Sequence, residues 1–124
     1  MFKVLFIGLG GFLGAIVRFG IVRLLAPLFT KLPLGIWLAN FVGSFLMGFV
    51  VYFLAQAKGN IGYLQPFLTV GFLGSLTTMA TFAFDTMHLF SLKAIGWAIA
   101  NLVLTLVSCL LAVYAGAQLA SRLF

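Results

Sequence analysis

The sequence is divided by three short connections into four apolar stretches, each long enough to cross a lipid bilayer. They cover about residues 2–29, 34–57, 63–90 and 94–122. With 65% hydrophobic and 6% charged residues among 124, the chain has a composition far from that of soluble domains. The sequence therefore predicts an all-α integral membrane protein, a single four-helix transmembrane domain over residues 1–124.

The basic residues stand singly at helix ends and in connections, without the clustered patch that nucleic-acid binding requires. Apart from Arg18, which lies within the first span, they divide equally between the two membrane faces: Lys3, Lys58 and Arg122 on the side of the termini, and Arg23, Lys31 and Lys93 opposite. Because an excess of Lys and Arg sets orientation, an equal division leaves none preferred. This balance suggests the hypothesis that two oppositely oriented copies form an antiparallel, dual-topology homodimer.

Residues for catalysis are scarce in this sequence. It has one acid, Asp85, one histidine, His88, and one cysteine, Cys109. General acid–base, nucleophilic and metal-assisted hydrolysis all need more than this set offers. Asp85 and His88 are three residues apart, which predicts a local pair on one face of a helix. We therefore expect that the chain is not an enzyme.

The third apolar stretch carries an unusual polar segment, Gly71-Phe-Leu-Gly-Ser-Leu-Thr-Thr-Met-Ala-Thr-Phe82. Non-helical backbone at membrane depth is tolerated only where protein encloses it or where it lines a wet site. The segment predicts a helix break around residues 74–78, whose freed carbonyls could bind a cation. The alternative, from composition alone, is a continuous helix whose hydroxyls bond to carbonyls one turn earlier.

Two further polar residues lie within apolar stretches. Asn40 offers two amide donors, which suit either a small anion or a hydrogen bond between helices. Arg18 lies roughly 22 Å along the first helix from Lys3, and burying it would cost about 3 kcal/mol. We expect it to face a wet vestibule.

Three segments of the chain resemble the Fluc (CrcB) fluoride channel family. They are Gly10-Gly-Phe-Leu-Gly-Ala-Ile-Val-Arg18, Leu34-Gly-Ile-Trp-Leu-Ala-Asn-Phe-Val-Gly-Ser44 and the polar segment 71–82. Their order, their spacing and the four-span frame coincide with the family. The resemblance implies a passive, selective fluoride channel in the inner (plasma) membrane. It also implies an antiparallel homodimer with a structural sodium ion at its interface, and export of fluoride that gives fluoride resistance.

The resemblance also implies roles for particular residues. Gly74 and Thr77 would bind the sodium ion through backbone carbonyls. The fluoride pathway would be lined by Asn40 as donor, Phe82 through its ring edge, Thr81 and Thr105 as further polar contacts, and Arg18 near the vestibule. The chain departs from the usual Thr-Thr-Phe-Ser-Thr-Phe pattern at two positions, with Met79 and Ala80 in place of a phenylalanine and a serine. One ring edge and one hydroxyl are thereby lost.

Two other classes of protein have a similar outline. A small multidrug exporter also has four short spans, but its proton coupling relies on an acid in the first helix, and this chain has none there. A non-transporting membrane scaffold would need the helix-packing faces but no polar break in the third helix.

Overall fold

A computed structural model describes residues 1–28, 31–57 and 61–124 of the chain. Four helices of membrane-spanning length and composition are present in these ranges. They are α1 (Phe2–Leu25), α2 (Leu34–Gln56), α3 (Leu64–Ser91) and α4 (Ile95–Leu123). The chain is thus an all-helical, multi-pass membrane protein, as the sequence predicts.

Helix α1 ends earlier than the sequence predicts. It ends at Leu25, whereas the expected end at Phe29 lies outside the described residues. Ala26 is its C-cap, and Pro27 after it has no backbone N–H and cannot donate a further bond of the helical ladder. The bounds of the other three helices lie within one residue of the prediction.

Helix α3 is interrupted at Thr77 and Thr78, within the interval where the sequence predicts a break. Both residues are extended, with φ and ψ of −83° and 149° at the first and −149° and 115° at the second. A π-helical stretch, Phe67–Leu73, precedes the break, and Met79–Ser91 forms the half that follows it. The alternative of a continuous third helix is therefore wrong.

The break changes the neighbours of α3. Its first half, residues 64–76, packs mainly against α1, whereas its second half, Met79–Ser91, packs mainly against α4. Helices α2 and α4 also pack extensively against each other. The interruption therefore lets one transmembrane segment cross from one side of the bundle to the other.

Glycines bring the helix backbones into direct contact. A Cβ added at Gly71 of α3 would lie 2.5 Å from the carbonyl oxygen of Ile7 and 3.0 Å from Cα of Gly10. A Cβ at Gly48 of α2 would lie 2.9 Å from the carbonyl carbon of Val113. Gly48 and Gly71 therefore serve close packing between helices of the same chain.

Substituting Gly48 with alanine is expected to destabilise the bundle by about 1–3 kcal/mol, because the α4 backbone must move to admit the methyl group. Thermal unfolding in detergent measures this effect. Gly96→Ala is the matched control, since no atom lies within 4 Å of its added Cβ. Equal stability of the two variants would contradict the close contact between α2 and α4.

Candidate functional site

The break in α3 is held by the side chain of Asn40 on α2. Its Oδ1 accepts a hydrogen bond of 2.7 Å from the backbone N–H of Thr78, and its Nδ2 donates one of 3.2 Å to the carbonyl oxygen of the same residue. Asn40 is only 8% exposed. The hydrogen bond between helices that the sequence allows for Asn40 is therefore present, and it uses one of two amide hydrogens.

The same bonds deprive two carbonyl groups of their usual helical donors. In an unbroken helix, the N–H groups of Thr78 and Thr81 would bond to the carbonyls of Gly74 and Thr77. Here the N–H of Thr78 bonds to Asn40 instead. The N–H of Thr81 donates to the hydroxyl of Thr78, which caps the second half of α3. The carbonyls of Gly74 and Thr77 are thereby left for another partner.

A cleft of about 310 Å³ opens beside the break, between α2, α3 and α4. It brings together five residues that the sequence and the family resemblance single out, listed here in chain order: Asn40, Thr77, Met79, Phe82 and Thr105. Its apolar wall comes from α4. The candidate pathway residues of three different helices thus meet at one place.

Two buried residues of this cleft have contrasting hydrogen bonding. Phe82 is 3% exposed, and its carbonyl accepts a hydrogen bond of 2.8 Å from the hydroxyl of Thr86. That hydroxyl in turn accepts from Nδ2 of Asn101 at 2.8 Å. Thr105 is 5% exposed, and within the described residues its hydroxyl has no hydrogen-bond partner. Such a hydroxyl costs free energy unless a ligand or water satisfies it.

The roles of Thr78, Thr86 and Asn101 are absent from the sequence prediction. The signal for Asn101 was available, because it is the second asparagine within an apolar span. Thr78 was visible as part of the polar segment, but its function as helix cap depends on where the break falls. Local sequence does not specify that position.

The remaining candidate residues lie elsewhere. Thr81, Asp85 and His88 line a second cleft of about 500 Å³, which Lys31 also borders. Arg18 is partly buried on α1 and is not among the lining residues of either cleft. The structure therefore does not place Arg18 at the first cleft, whereas Thr81 is joined to it through Thr78, whose hydroxyl lies 3.3 Å from that of Thr81.

A cation at the break would have to be held by backbone oxygen atoms. Among the described residues, no group of three or more His, Cys, Asp or Glu side chains is arranged to hold a metal ion. Carbonyl oxygens are hard ligands, so the freed carbonyls fit an alkali cation better than a transition metal.

A four-span bundle with a broken third helix, a polar cleft at the break and buried amide and hydroxyl groups defines a class of small membrane proteins with an ion or solute path. The CrcB-like protein family (Camphor Resistance, CrcB) matches residues 5–117. The chain belongs to this family.

Several relatives are similar to the chain over nearly all of its length. The fluoride-specific ion channel FluC of Methanocaldococcus jannaschii is 37% identical over 98% of this chain and 97% of its own. The fluoride-specific ion channel FluC of Aeromonas salmonicida is 42% identical over 95% of this chain and 96% of its own. The fluoride-specific ion channel FluC 1 of Methanosarcina acetivorans is 35% identical over 94% of this chain and 88% of its own. The names of these relatives describe ion channels and not enzymes, in agreement with the sequence prediction.

Proposed function

We propose that this chain forms a passive, selective fluoride channel. The observation that carries the proposal is the cleft at the helix break, where an amide, a hydroxyl and a phenyl ring from three helices meet. The names of the relatives support it, since each is a fluoride-specific ion channel.

The cleft has the chemistry that a small anion requires. Fluoride is strongly hydrated, so a path through the membrane must replace its water with hydrogen-bond donors. Asn40 retains one amide hydrogen beyond its bond to Thr78, and the Thr105 hydroxyl has no partner among the described residues. The ring of Phe82 adds the positive potential of its edge. The Met79 side chain donates no hydrogen bond, but it is flexible and borders the path.

A structural sodium ion is part of the proposal. The carbonyls of Gly74 and Thr77 have lost their helical donors, so these two groups would hold the ion. When bound, sodium supplies a fixed positive charge that offsets the exposed carbonyl dipoles and favours a nearby anion. Asn40 and Thr78 contribute by keeping the break open.

Assembly as an antiparallel homodimer is also proposed. The equal division of basic residues allows both orientations in the membrane. Met79 is 69% exposed in the single chain although it borders the polar cleft, so the cleft is incomplete on that side. A second copy placed there would enclose the path and shield it from lipid.

The physiological role follows from the acid–base chemistry of fluoride. Hydrofluoric acid crosses membranes as a neutral molecule and dissociates in a less acidic cytoplasm, which traps the anion. A passive channel in the inner membrane lets fluoride leave down its electrochemical gradient. The chain would thereby give its host fluoride resistance.

Fluoride efflux from proteoliposomes tests this function. With a potassium ionophore present to release the voltage, the protein is expected to empty fluoride-loaded vesicles while chloride-loaded vesicles keep their contents. A fluoride electrode and a chloride electrode record the two fluxes. An absence of fluoride flux from correctly inserted protein would favour the membrane scaffold instead.

A further inference from the structure

The second half of α3 begins with backbone N–H groups that the chain does not fully satisfy. The first N–H groups of a helix lack partners within it. At this helix start, the N–H of Thr78 bonds to Asn40 and that of Thr81 bonds to the Thr78 hydroxyl. For Met79 and Ala80, no acceptor is present among the described residues. Within the described parts of the chain, two adjacent amide donors at membrane depth therefore remain open.

These donors lie beside other unused hydrogen-bonding groups. Thr78 and Met79 line the same cleft as Asn40 and Thr105. The Thr105 side chain is only 5% exposed, and its hydroxyl has no hydrogen-bond partner in the described parts of the chain. Asn40 is similarly buried and has one amide hydrogen left over. Unpaired groups from α2 and α4 therefore border the same cleft as the start of this helix.

We propose that the backbone N–H groups of Met79 and Ala80 bind the conducted anion directly, as a station beside Asn40. This inference rests on the proposed function and names a binding group for it. The N-terminus of a helix attracts anions through its open N–H groups and its dipole. The side chains at these two positions donate no hydrogen bond, so the backbone is the only source of donors there.

The ligand of this station is a small, hard, monovalent anion. The donors belong to the main chain at the end of a helix of 13 residues, and Thr78 and Asn40 hold that end in place. An anion must therefore approach the backbone closely, which favours fluoride over larger halides. The same helix end cannot serve a cation, since its N–H groups present positive potential.

Met79→Pro removes one of the two donors with little change to the fold. Met79 is the first residue of the helix, the position where proline fits best, because its missing N–H needs no helical partner. Proline also requires an extended residue before it, and Thr78 has φ −149° and ψ 115°. The reference is Met79→Ala, which truncates the same side chain but keeps the N–H.

Fluoride flux through Met79→Pro is expected to be roughly 10- to 100-fold lower than through Met79→Ala, the loss typical of one hydrogen bond to a charged group. Size-exclusion elution and thermal unfolding in detergent check that both variants fold. If the proline variant unfolds, an ester replaces the backbone amide that carries the N–H of Ala80, which removes the second donor and keeps the side chain. The same direction of change is expected.

The outcomes separate this inference from the proposed function. If the unmodified chain conducts and the two variants at residue 79 conduct equally, water and not the anion occupies the helix end, and the station is refuted. If the unmodified chain conducts no fluoride, the proposed function itself is contradicted. A loss confined to the proline and ester variants supports the station.

Discussion

Asn40→Asp is expected to abolish fluoride flux. A carboxylate keeps the acceptor for the N–H of Thr78, but it replaces the Nδ2 donor with an oxygen that faces the Thr78 carbonyl across about the present 3.2 Å. It also places a negative charge in the proposed path of an anion. At about 4 Å and an effective dielectric constant of roughly 20, the repulsion is about 4 kcal/mol. This corresponds to about a thousandfold loss of flux, since about 1.4 kcal/mol is a factor of ten.

Asn101→Asp is the matched control for this change. Asn101 is likewise a buried amide within an apolar helix, but it bonds to the Thr86 hydroxyl and is not among the lining residues of the cleft. The Thr86 hydroxyl can turn its single hydrogen from the Phe82 carbonyl to the carboxylate, so the new acceptor gains a donor outside the lining of the cleft. Proteoliposome efflux is expected to fall much less than for Asn40→Asp. An equal loss in both variants would show that any buried carboxylate is damaging and would remove the special role of Asn40.

The helices could be predicted because lipid imposes a simple requirement on each of them. A spanning segment needs about 20 apolar residues, and short connections with glycine or proline separate one from the next. The break in α3 was also visible, because two glycines and three threonines within residues 71–82 are unusual in a lipid-facing helix. The sequence placed the break within five residues, whereas the structure confines it to Thr77 and Thr78.

The partners of the break could not be predicted, because they depend on tertiary contacts. Thr78 becomes the cap of a helix only when Asn40 on another helix bonds to its backbone. The change of neighbour from α1 to α4 follows from the same interruption and has no local signal. For Arg18, the free-energy cost of burial in lipid predicts that its side chain faces water, but it does not predict which part of the protein borders that water. The sequence thus indicates which residues are expensive to bury, and packing decides what they contact.

Phe82→Ile is expected to slow fluoride flux by roughly 10- to 100-fold, if the ring edge acts as one charge-assisted contact. Phe82 is almost fully buried and lies on the wall of the cleft, and its carbonyl accepts a hydrogen bond from the Thr86 hydroxyl. Isoleucine keeps an apolar side chain of moderate volume at this position but has no ring, and so no positive edge to present to an anion. Initial rates of efflux measured with a fluoride electrode record the change.

Phe84→Ile separates the role of the ring from the general effect of replacing a phenylalanine in this helix. Phe84 lies two residues further on, is 70% exposed and stacks against His88, away from the lining of the cleft. Its replacement alters the same half of α3 with the same change of side chain, so flux is expected to stay close to that of the unmodified protein. If the two variants slow flux equally, the cause is the helix and not the ring edge. A selective loss in Phe82→Ile would place the anion against the aromatic edge, next to the amide of Asn40 and the open N–H groups of residues 79 and 80.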